Sequence, residues 1–150
     1  MELRDKVVVV TGGASGIGTG LCRRFREEGV RGLVIADLNG EAAAELAEEL
    51  DGTSYALDVR DESAIAAMVA ETEAEFGQID LFCSNAGILN LDGDDYWATS
   101  SNNDVWQKNW EVRVLARIYA ARACLPGMIE RREGHFLHTV SAAGLLTTTT

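Results

Sequence analysis

The stretch VVVVTGGASGIG, residues 7–18, decides the fold of this 150-residue chain. It places an uninterrupted apolar run directly before a glycine-rich segment, and a helical pattern begins at residue 16. A parallel strand, a tight turn and a helix in this order leave the free N–H groups of the helix facing a phosphate. The stretch therefore predicts a dinucleotide-binding turn whose cofactor-binding residues are Gly12, Ser15, Gly16, Ile17 and Gly18.

The three motif glycines have separate purposes in this prediction. Gly12 permits the tight turn after the strand. Gly16 lets the backbone approach a pyrophosphate, and Gly18 lets the helix pack close to the sheet. A purely structural turn is the alternative, but the strand before the turn and the acid further along the chain favour nucleotide binding.

That acid, Asp37, ends a second apolar run at residues 33–36 and lies 19 residues after Gly18. A carboxylate at the tip of a second strand accepts hydrogen bonds from an adenosine ribose and repels a 2′-phosphate. Neither Leu38 nor Ser15 offers a positive charge for such a phosphate, so the sequence favours NAD over NADP. In the alternative interpretation Asp37 is a helix N-cap or turn residue before Asn39, and the two roles are compatible.

Apolar runs and helical patterns alternate along the chain at short, regular spacing. Continuous apolar runs suit strands buried on both faces of a parallel sheet, with right-handed helical crossovers between them. The pattern predicts an α/β fold with a doubly wound parallel sheet in a single domain over residues 1–150. The predicted strands are 6–11, 32–37, 53–58, 79–85 and 135–141, and the predicted helices are 16–28, 40–50, 61–76 and 104–131.

The composition restricts the partners that the chain can have. Thirteen basic and 24 acidic side chains give a net charge of −11, which argues against nucleic acid and anionic membranes. Because no stretch reaches ~18 consecutive apolar residues and the N-terminus is not a signal peptide, we expect a cytoplasmic protein. Cys22, Cys83 and Cys124 lack the spacing of metal ligands and are expected to be small buried apolar residues.

A long connection at residues 87–103 interrupts the regular spacing after the fourth predicted strand. It lies near the carboxyl edge of the sheet, where ligands bind in folds of this kind. Its acids Asp92, Asp94 and Asp95 do not match the pattern of a calcium loop. We therefore predict a solvated loop or a wall of the substrate site, and no metal.

Two further motifs, taken with the glycine turn and Asp37, resemble the N-terminal part of a short-chain dehydrogenase/reductase. The turn matches the TGxxxGxG motif of that family, and Asp37 matches its NAD-selecting acid. Asp58-Val59 matches the pair that contacts adenine in the family. In the alternative interpretation, Asp58 has only a structural role and caps or terminates a strand. Residues 84–87 match the family motif NNAG, with Ser84 in place of the first Asn.

The resemblance implies a Rossmann-type fold with NAD as the cofactor. It adds to the predicted cofactor-binding residues Asp58, Val59, Asn85, Ala86 and Gly87. Within this set, Asn85 is expected to tie neighbouring strands together through side-chain-to-backbone hydrogen bonds. Gly87 is expected to leave the backbone room beside the cofactor.

The resemblance also implies catalytic positions near the end of the chain. Ser141 matches the catalytic serine of the family, whose hydroxyl polarises a substrate carbonyl during hydride transfer. The family places Tyr and Lys after this serine in a YxxxK arrangement, but here no Tyr follows Tyr119 and no Lys follows Lys108. Arg113 stands where the family has a catalytic Asn, and its side chain cannot accept a hydrogen bond. Alternatively, Arg113 reaches solvent or pairs with an acid.

The sequence therefore indicates part of an NAD-dependent oxidoreductase that acts on an alcohol or carbonyl substrate. We expect its sheet to be truncated after about five strands. Because the Tyr and Lys are missing, we expect this chain to have no activity on its own. The alternative is a non-catalytic NAD-binding module, or a partner subunit of an intact homologue. We expect a homo-oligomer or another association through helix 104–131. The reason is that loss of a neighbouring helix would expose part of Val112, Leu115, Ile118 and Tyr119.

Overall fold

The computed structural model describes residues 1–88 and 101–142. Strands and helices alternate along this part of the chain, as predicted. They are β1 (Val7–Thr11), α1 (Gly16–Glu27), β2 (Gly32–Asp37), α2 (Gly40–Glu49), β3 (Thr53–Ala56), α3 (Glu62–Phe76), β4 (Leu81–Ser84), α4 (Asn103–Trp110), α5 (Ala116–Arg131) and β5 (His135–His138).

The five strands of the described residues form one parallel sheet in the order β3-β2-β1-β4-β5. The chain runs outward from β1 to β3, then returns to the other side of β1 to place β4 and β5. The predicted doubly wound, Rossmann-type parallel sheet is therefore confirmed. In such a sheet the crevice for a ligand lies at the carboxyl ends of β1 and β4, where the direction of winding reverses.

The central strand β1 is buried because both faces of the sheet are covered. Val7 and Val9 pack into the cluster that includes residues of α3 and α5, whereas Val8 and Val10 pack into the cluster formed with α1 and α2. Alternate side chains of a strand point to opposite faces, so the unbroken valine run serves both cores. All four valines are 0% exposed, and burial stabilises each by about 1.5–3 kcal/mol relative to exposure.

Three strands end earlier than the sequence predicts. The predicted ends are residues 58, 85 and 141, whereas β3, β4 and β5 end at Ala56, Ser84 and His138. The first residues after β3 and β5 still donate to the neighbouring strand, Leu57 N–H to the Asp37 carbonyl at 2.8 Å and Thr139 N–H to the Ser84 carbonyl at 3.2 Å, before the chain leaves the sheet. Beyond β4 the chain turns at once, because the Asn85 N–H donates back to the Cys83 carbonyl oxygen at 3.0 Å. The residues released in this way become the walls of the site described below.

The predicted helix 104–131 is divided by a π-helical turn, Glu111–Leu115, between α4 and α5. Val112 lies in this turn and is only 7% exposed, so the expectation that it would be uncovered is wrong. It packs into the same buried cluster as Ile65. The exposed apolar side chains of α4 and α5 are Trp106, Trp110, Ile118, Leu125 and Ile129. We call these five residues the apolar stripe.

Strand β5 pairs with β4 alone and forms one edge of the described sheet. The centroid of its Phe136 ring lies 6.1 Å from that of the Phe82 ring. The side chain of Leu137 is 43% exposed. Residues 89–100, with most of the predicted connection and its three aspartates, lie outside the described residues, as do residues 143–150. No helix in the described ranges combines the length and the apolar character needed to cross a membrane.

Candidate functional site

A groove of about 440 Å³ opens at the carboxyl edge of the sheet. Its walls come from the turn after β1, the end of β2 and the segments that follow β3 and β4, with α4 along one side. Ten of the eleven predicted cofactor-binding residues line it, because the carboxyl ends of parallel strands meet at one edge. The exception, Gly18, lies under the turn and is buried.

The glycine turn is held by close backbone contacts. Gly12 has φ +64°, and a Cβ built there would lie 2.7 Å from the Cα of Ala86. A Cβ at Gly18 would lie 1.9 Å from the carbonyl oxygen of Gly12. Glycine at position 12 therefore lets the turn pack against the segment after β4, and glycine at position 18 lets it pack against α1. Any larger residue at either position would clash with these backbone atoms.

The space beside the N-terminus of α1 is open. A Cβ at Gly16 would meet no atom within 4 Å. Ser15 precedes α1 in an extended conformation and makes no side-chain capping bond within the described residues, and the first turn of α1 contains no acid. The uncapped N–H groups and the positive end of the helix dipole are thus arranged as in a site for an anionic group.

Asp37 connects the end of β2 to the glycine turn. Its Oδ2 accepts a hydrogen bond from the backbone N–H of Ala14 at 3.0 Å, and its Oδ1 accepts one from Asn39 at 3.0 Å. Asn39, not Asp37, caps α2, because its Oδ1 accepts from the Ala42 N–H at 3.2 Å. The turn role of Asp37 is therefore observed, and each carboxylate oxygen retains a further lone pair directed to other donors.

Asp58 is held by Arg60, a contact that sequence reasoning missed. The Arg60 guanidinium donates to Asp58 Oδ2 from Nη2 at 2.6 Å and from Nε at 3.0 Å, and the Arg60 backbone N–H donates to Oδ1 at 3.0 Å. These bonds hold the pKa of the Asp58 carboxyl below its ordinary value, with the side-chain bond to Arg60 as the largest cause. Arg60 and Lys108 both line the groove, so its wall beyond β3 carries positive charge as well as the predicted acid.

Asn85 makes the strand ties that the sequence predicts. Its Nδ2 donates to the Gly12 carbonyl oxygen at 2.9 Å, and its backbone N–H donates to the Thr11 hydroxyl at 3.3 Å. Its Oδ1 accepts from the Thr139 hydroxyl at 2.8 Å. The adjacent Ser84 is buried, and its hydroxyl has no hydrogen-bond partner in the described part of the chain.

The two predicted catalytic positions lie beside the groove and not in its wall. Ser141 is exposed and follows Thr139, which does line the groove. Arg113 is also exposed, and its Nη2 donates to the carbonyl oxygen of Ile88, another lining residue. Arg113 forms no ion pair within residues 1–88 and 101–142. Within the same ranges no three His, Cys, Asp or Glu side chains are grouped to hold a metal ion.

Comparison with known proteins identifies the family to which this chain belongs. The family model described as short chain dehydrogenase matches residues 6–149, nearly the whole chain. The chain belongs to the short-chain dehydrogenase/reductase family. This membership confirms the resemblance drawn from the glycine turn, Asp37, Asp58-Val59, residues 84–87 and Ser141.

Curated members of the short-chain dehydrogenase/reductase family are similar over almost all of this chain. A 1-deoxy-11-beta-hydroxypentalenate dehydrogenase from Streptomyces exfoliatus is 34% identical, over 97% of this chain and 54% of the relative. The NADP-dependent 3-hydroxy acid dehydrogenase YdfG from Escherichia coli (strain K12) is 34% identical, over 92% of this chain and 55% of the relative. The chain thus spans about half the length of these relatives.

A solved structure of a related reductase gives the same fold. The 3-ketoacyl-(acyl-carrier-protein) reductase from Brucella melitensis, complexed with NADH, matches with a TM-score of 0.85 and 26% sequence identity. The match covers 94% of this chain and 59% of the reductase. The short-chain dehydrogenase/reductase fold of the described residues therefore corresponds to a family member that holds a nicotinamide cofactor.

Proposed function

We propose that this chain is the cofactor-binding part of a nicotinamide-dependent oxidoreductase acting on an alcohol or carbonyl substrate. The observation that carries the proposal is the convergence of ten predicted cofactor-binding residues on one groove at the reversal point of the sheet. The open space beside Gly16 and the acid-free first turn of α1 fit a pyrophosphate there. When bound, the nicotinamide would supply hydride-transfer chemistry.

NAD is the cofactor that these residues favour. Asp37 lines the groove with lone pairs available for ribose hydroxyl groups, and a 2′-phosphate at the same place would meet its negative charge. Leu38, which follows it, is 75% exposed and offers no compensating cation. Since one relative is named as NADP-dependent and one neighbour is complexed with NADH, the residues of this chain are a better guide than its relatives.

The substrate would lie at the other end of the groove, toward the segment after β5. There Ser141 would donate a hydrogen bond from its hydroxyl to the substrate oxygen and orient it. A non-catalytic NAD-binding module is the second candidate function, favoured by Arg113 at the position where the family has a catalytic Asn.

Fluorescence titration of the chain with NADH tests the proposal, with NADPH as the comparison ligand. We expect saturable binding of NADH and weaker binding of NADPH. Asp37→Ala should weaken NADH binding and reduce the preference for NADH over NADPH. Glu48→Ala is the matched control, because Glu48 is an exposed acid on α2 and its loss changes the net charge equally. Absence of saturable binding by the folded chain would overturn the proposal.

Turnover distinguishes the two candidate functions. A series of secondary alcohols and ketones is assayed with saturating cofactor. If the chain is catalytic, the change in NADH absorbance should show oxidation of an alcohol or reduction of a ketone. Ser141→Ala should then remove the activity without changing NADH affinity. Tight cofactor binding with no turnover for any of these compounds would favour the non-catalytic module.

We also propose that copies of the chain associate through the apolar stripe. Its residues recur at spacings that place them along one side of α4 and α5, and Ile129 is 65% exposed. Light scattering coupled to size-exclusion chromatography should show a concentration-dependent dimer or larger species. Ile129→Lys should shift the population to monomer, and an unchanged mass would contradict this interface.

A further inference from the structure

A second, much smaller cavity adjoins the groove. Its volume of about 10 Å³ matches the space that one water molecule needs. Its polar lining residues are Thr11, Ser84 and Arg117. It shares three further lining residues with the groove, namely Val59, Ala86 and Val112. We call this space the inner cavity, and its position makes it part of the support of the groove wall.

Ser84 brings to the inner cavity a buried hydroxyl that lacks a hydrogen bond. The residue is 7% exposed, and its Oγ has no hydrogen-bond partner among residues 1–88 and 101–142. Ser84 lies on the same face of β4 as Phe82, which packs into the cluster that includes residues of α3 and α5. Since a buried hydroxyl without a partner is costly, the inner cavity is where a partner for Ser84 is expected.

Thr11 cannot be that partner. Its hydroxyl donates to the Cys83 carbonyl oxygen at 3.3 Å. It also accepts from two backbone N–H groups, that of Asn85 at 3.3 Å and that of Ala86 at 3.4 Å. A hydroxyl has one donor and two acceptor lone pairs, so these three bonds use the full capacity of Thr11. The hydroxyl of Ser84 therefore needs a different group.

Arg117 is the remaining polar side chain of the inner cavity. Its Nη2 donates to the Thr139 carbonyl oxygen at 2.9 Å, and a guanidinium has five N–H donors, so further donors are available. No direct bond joins this guanidinium to the Ser84 hydroxyl. A water molecule between them can accept from a guanidinium N–H and donate to Ser84 Oγ. Two such bonds are within the range of two to four that buried waters make.

We propose that the inner cavity binds one buried water molecule, held between the Ser84 hydroxyl and the Arg117 guanidinium. The amino-acid sequence supports the same site, because Ser84 stands where the NNAG motif has its first Asn. Ser84 and one water together supply the donor and the acceptor that an Asn amide carries. The site does not depend on which ligand the groove binds.

A high-resolution crystal structure of the 150-residue chain tests this site without any substitution. We expect an ordered water whose oxygen lies about 2.7–3.2 Å from Ser84 Oγ and from a nitrogen of the Arg117 guanidinium. A hydrogen bond from Ser84 Oγ to a protein atom, or no electron density between the two side chains, would overturn the inference.

Oxygen-17 relaxation dispersion of the solvent counts long-lived buried waters in solution. Ser84→Asn and Ser84→Val should each lower the dispersion amplitude by that of about one water, because the larger side chain takes its place. Cys83→Ala is the matched control, since Cys83 is buried at the next position of β4 but packs into the opposite core cluster. The apolar void that it leaves should stay dry. An unchanged amplitude in a folded Ser84 variant, or an equal fall in Cys83→Ala, would contradict the site.

Substitution of Arg117 identifies the second partner of the water. Arg117→Met keeps a long side chain and removes the donors, so it should lower the amplitude as much as Ser84→Val does. Arg122→Met is the matched control on α5, because Arg122 pairs with Glu62 at 2.9 Å and does not line the inner cavity. Retention of the full amplitude in Arg117→Met would overturn the assignment of Arg117.

Discussion

The hydroxyl of Thr139 donates a hydrogen bond to the side-chain carbonyl of Asn85, with 2.8 Å between the two oxygen atoms. The amide nitrogen of the same Asn85 donates to the Gly12 carbonyl oxygen at 2.9 Å. One side chain therefore links the segment after β5 to the turn after β1, two strands that β4 separates. The position of the glycine turn depends on this link as well as on the sheet.

Substitution Asn85→Ala should destabilise the fold and weaken cofactor binding. It removes both bonds and leaves the Gly12 carbonyl and the Thr139 hydroxyl without this partner. We expect the free energy of unfolding in urea to fall by about 1–3 kcal/mol. Thr139→Val removes only one of the bonds and should cost less. An equal loss in the two variants would show that the bond to Gly12 contributes little.

The arrangement of the groove could be predicted from sequence because few alternatives exist for it. An apolar strand, a glycine turn and a helix fix where the first wall lies, and parallel strands bring the other walls to the same edge. Asp37, Asp58 and Asn85 each follow or end an apolar run, so their meeting at that edge follows from topology alone.

The features that the sequence missed depend on side-chain conformation or on local backbone irregularity. The pattern of apolar residues does not predict the hydrogen bonds that Arg60 donates to Asp58, since both residues are polar and adjacent to a turn. The π-helical turn Glu111–Leu115 changes the helical period at the point where Arg113 emerges, and a regular period of 3.6 residues cannot show this. For the same reason a regular helical period does not predict the burial of Val112.

Substitution Gly18→Ala should prevent the turn from packing on α1. Its Cβ would lie 1.9 Å from the Gly12 carbonyl oxygen and 2.8 Å from the Asn85 amide nitrogen, so the backbone must move. We expect a loss of stability of about 1–3 kcal/mol and loss of NADH binding, measured by urea unfolding and fluorescence titration.

Gly20→Ala is the matched control for this experiment. Gly20 lies in the interior of α1, and a Cβ there would meet no atom within 4 Å. Since alanine favours the helix by about 0.5–1 kcal/mol over glycine, this variant should be more stable than the parent and bind NADH equally. Destabilisation by Gly20→Ala similar to that by Gly18→Ala would contradict the packing described for the turn.

The ion pair of Asp58 and Arg60 predicts a dependence on pH at the side of the groove that follows β3. Arg60 lowers the pKa of the Asp58 carboxyl below 3.8, so the pair stabilises the fold above that pH. This stabilisation is lost as the pH falls through the lower pKa of the folded state. The Arg60 side chain is 42% exposed, so solvent screens the pair and its contribution to stability should be small.

Nuclear magnetic resonance of the Asp58 carboxyl carbon measures this effect directly. In Arg60→Gln the pKa of Asp58 should rise toward 3.8, and the difference in unfolding free energy between the two proteins should shrink in acid. Arg24→Gln, on the exposed side of α1, controls for the change in net charge. An unchanged pKa in Arg60→Gln would mean that the pair does not persist in solution.

The three cysteines should be unreactive in the folded chain. Cys22, Cys83 and Cys124 are at most 1% exposed, which confirms the prediction that they are buried, and burial raises the pKa of each thiol to about 12. Because the thiolate is the reactive form, labelling with a disulfide reagent at about pH 8 should require opening of the structure. We expect rates at least about a hundredfold lower than in concentrated guanidinium chloride.

The order of labelling should also report which face of the sheet opens first. Cys22 and Cys83 lie in the cluster covered by α1 and α2, whereas Cys124 lies on α5, in the cluster against which Phe136 of the edge strand β5 packs. Local opening favours elements at the edge over those packed on the centre of a sheet. Cys124 should therefore label before the other two, and Cys124→Ala should remove the fastest phase. Earlier labelling of Cys83 would show that β4, rather than the edge, is the weakest part of the fold.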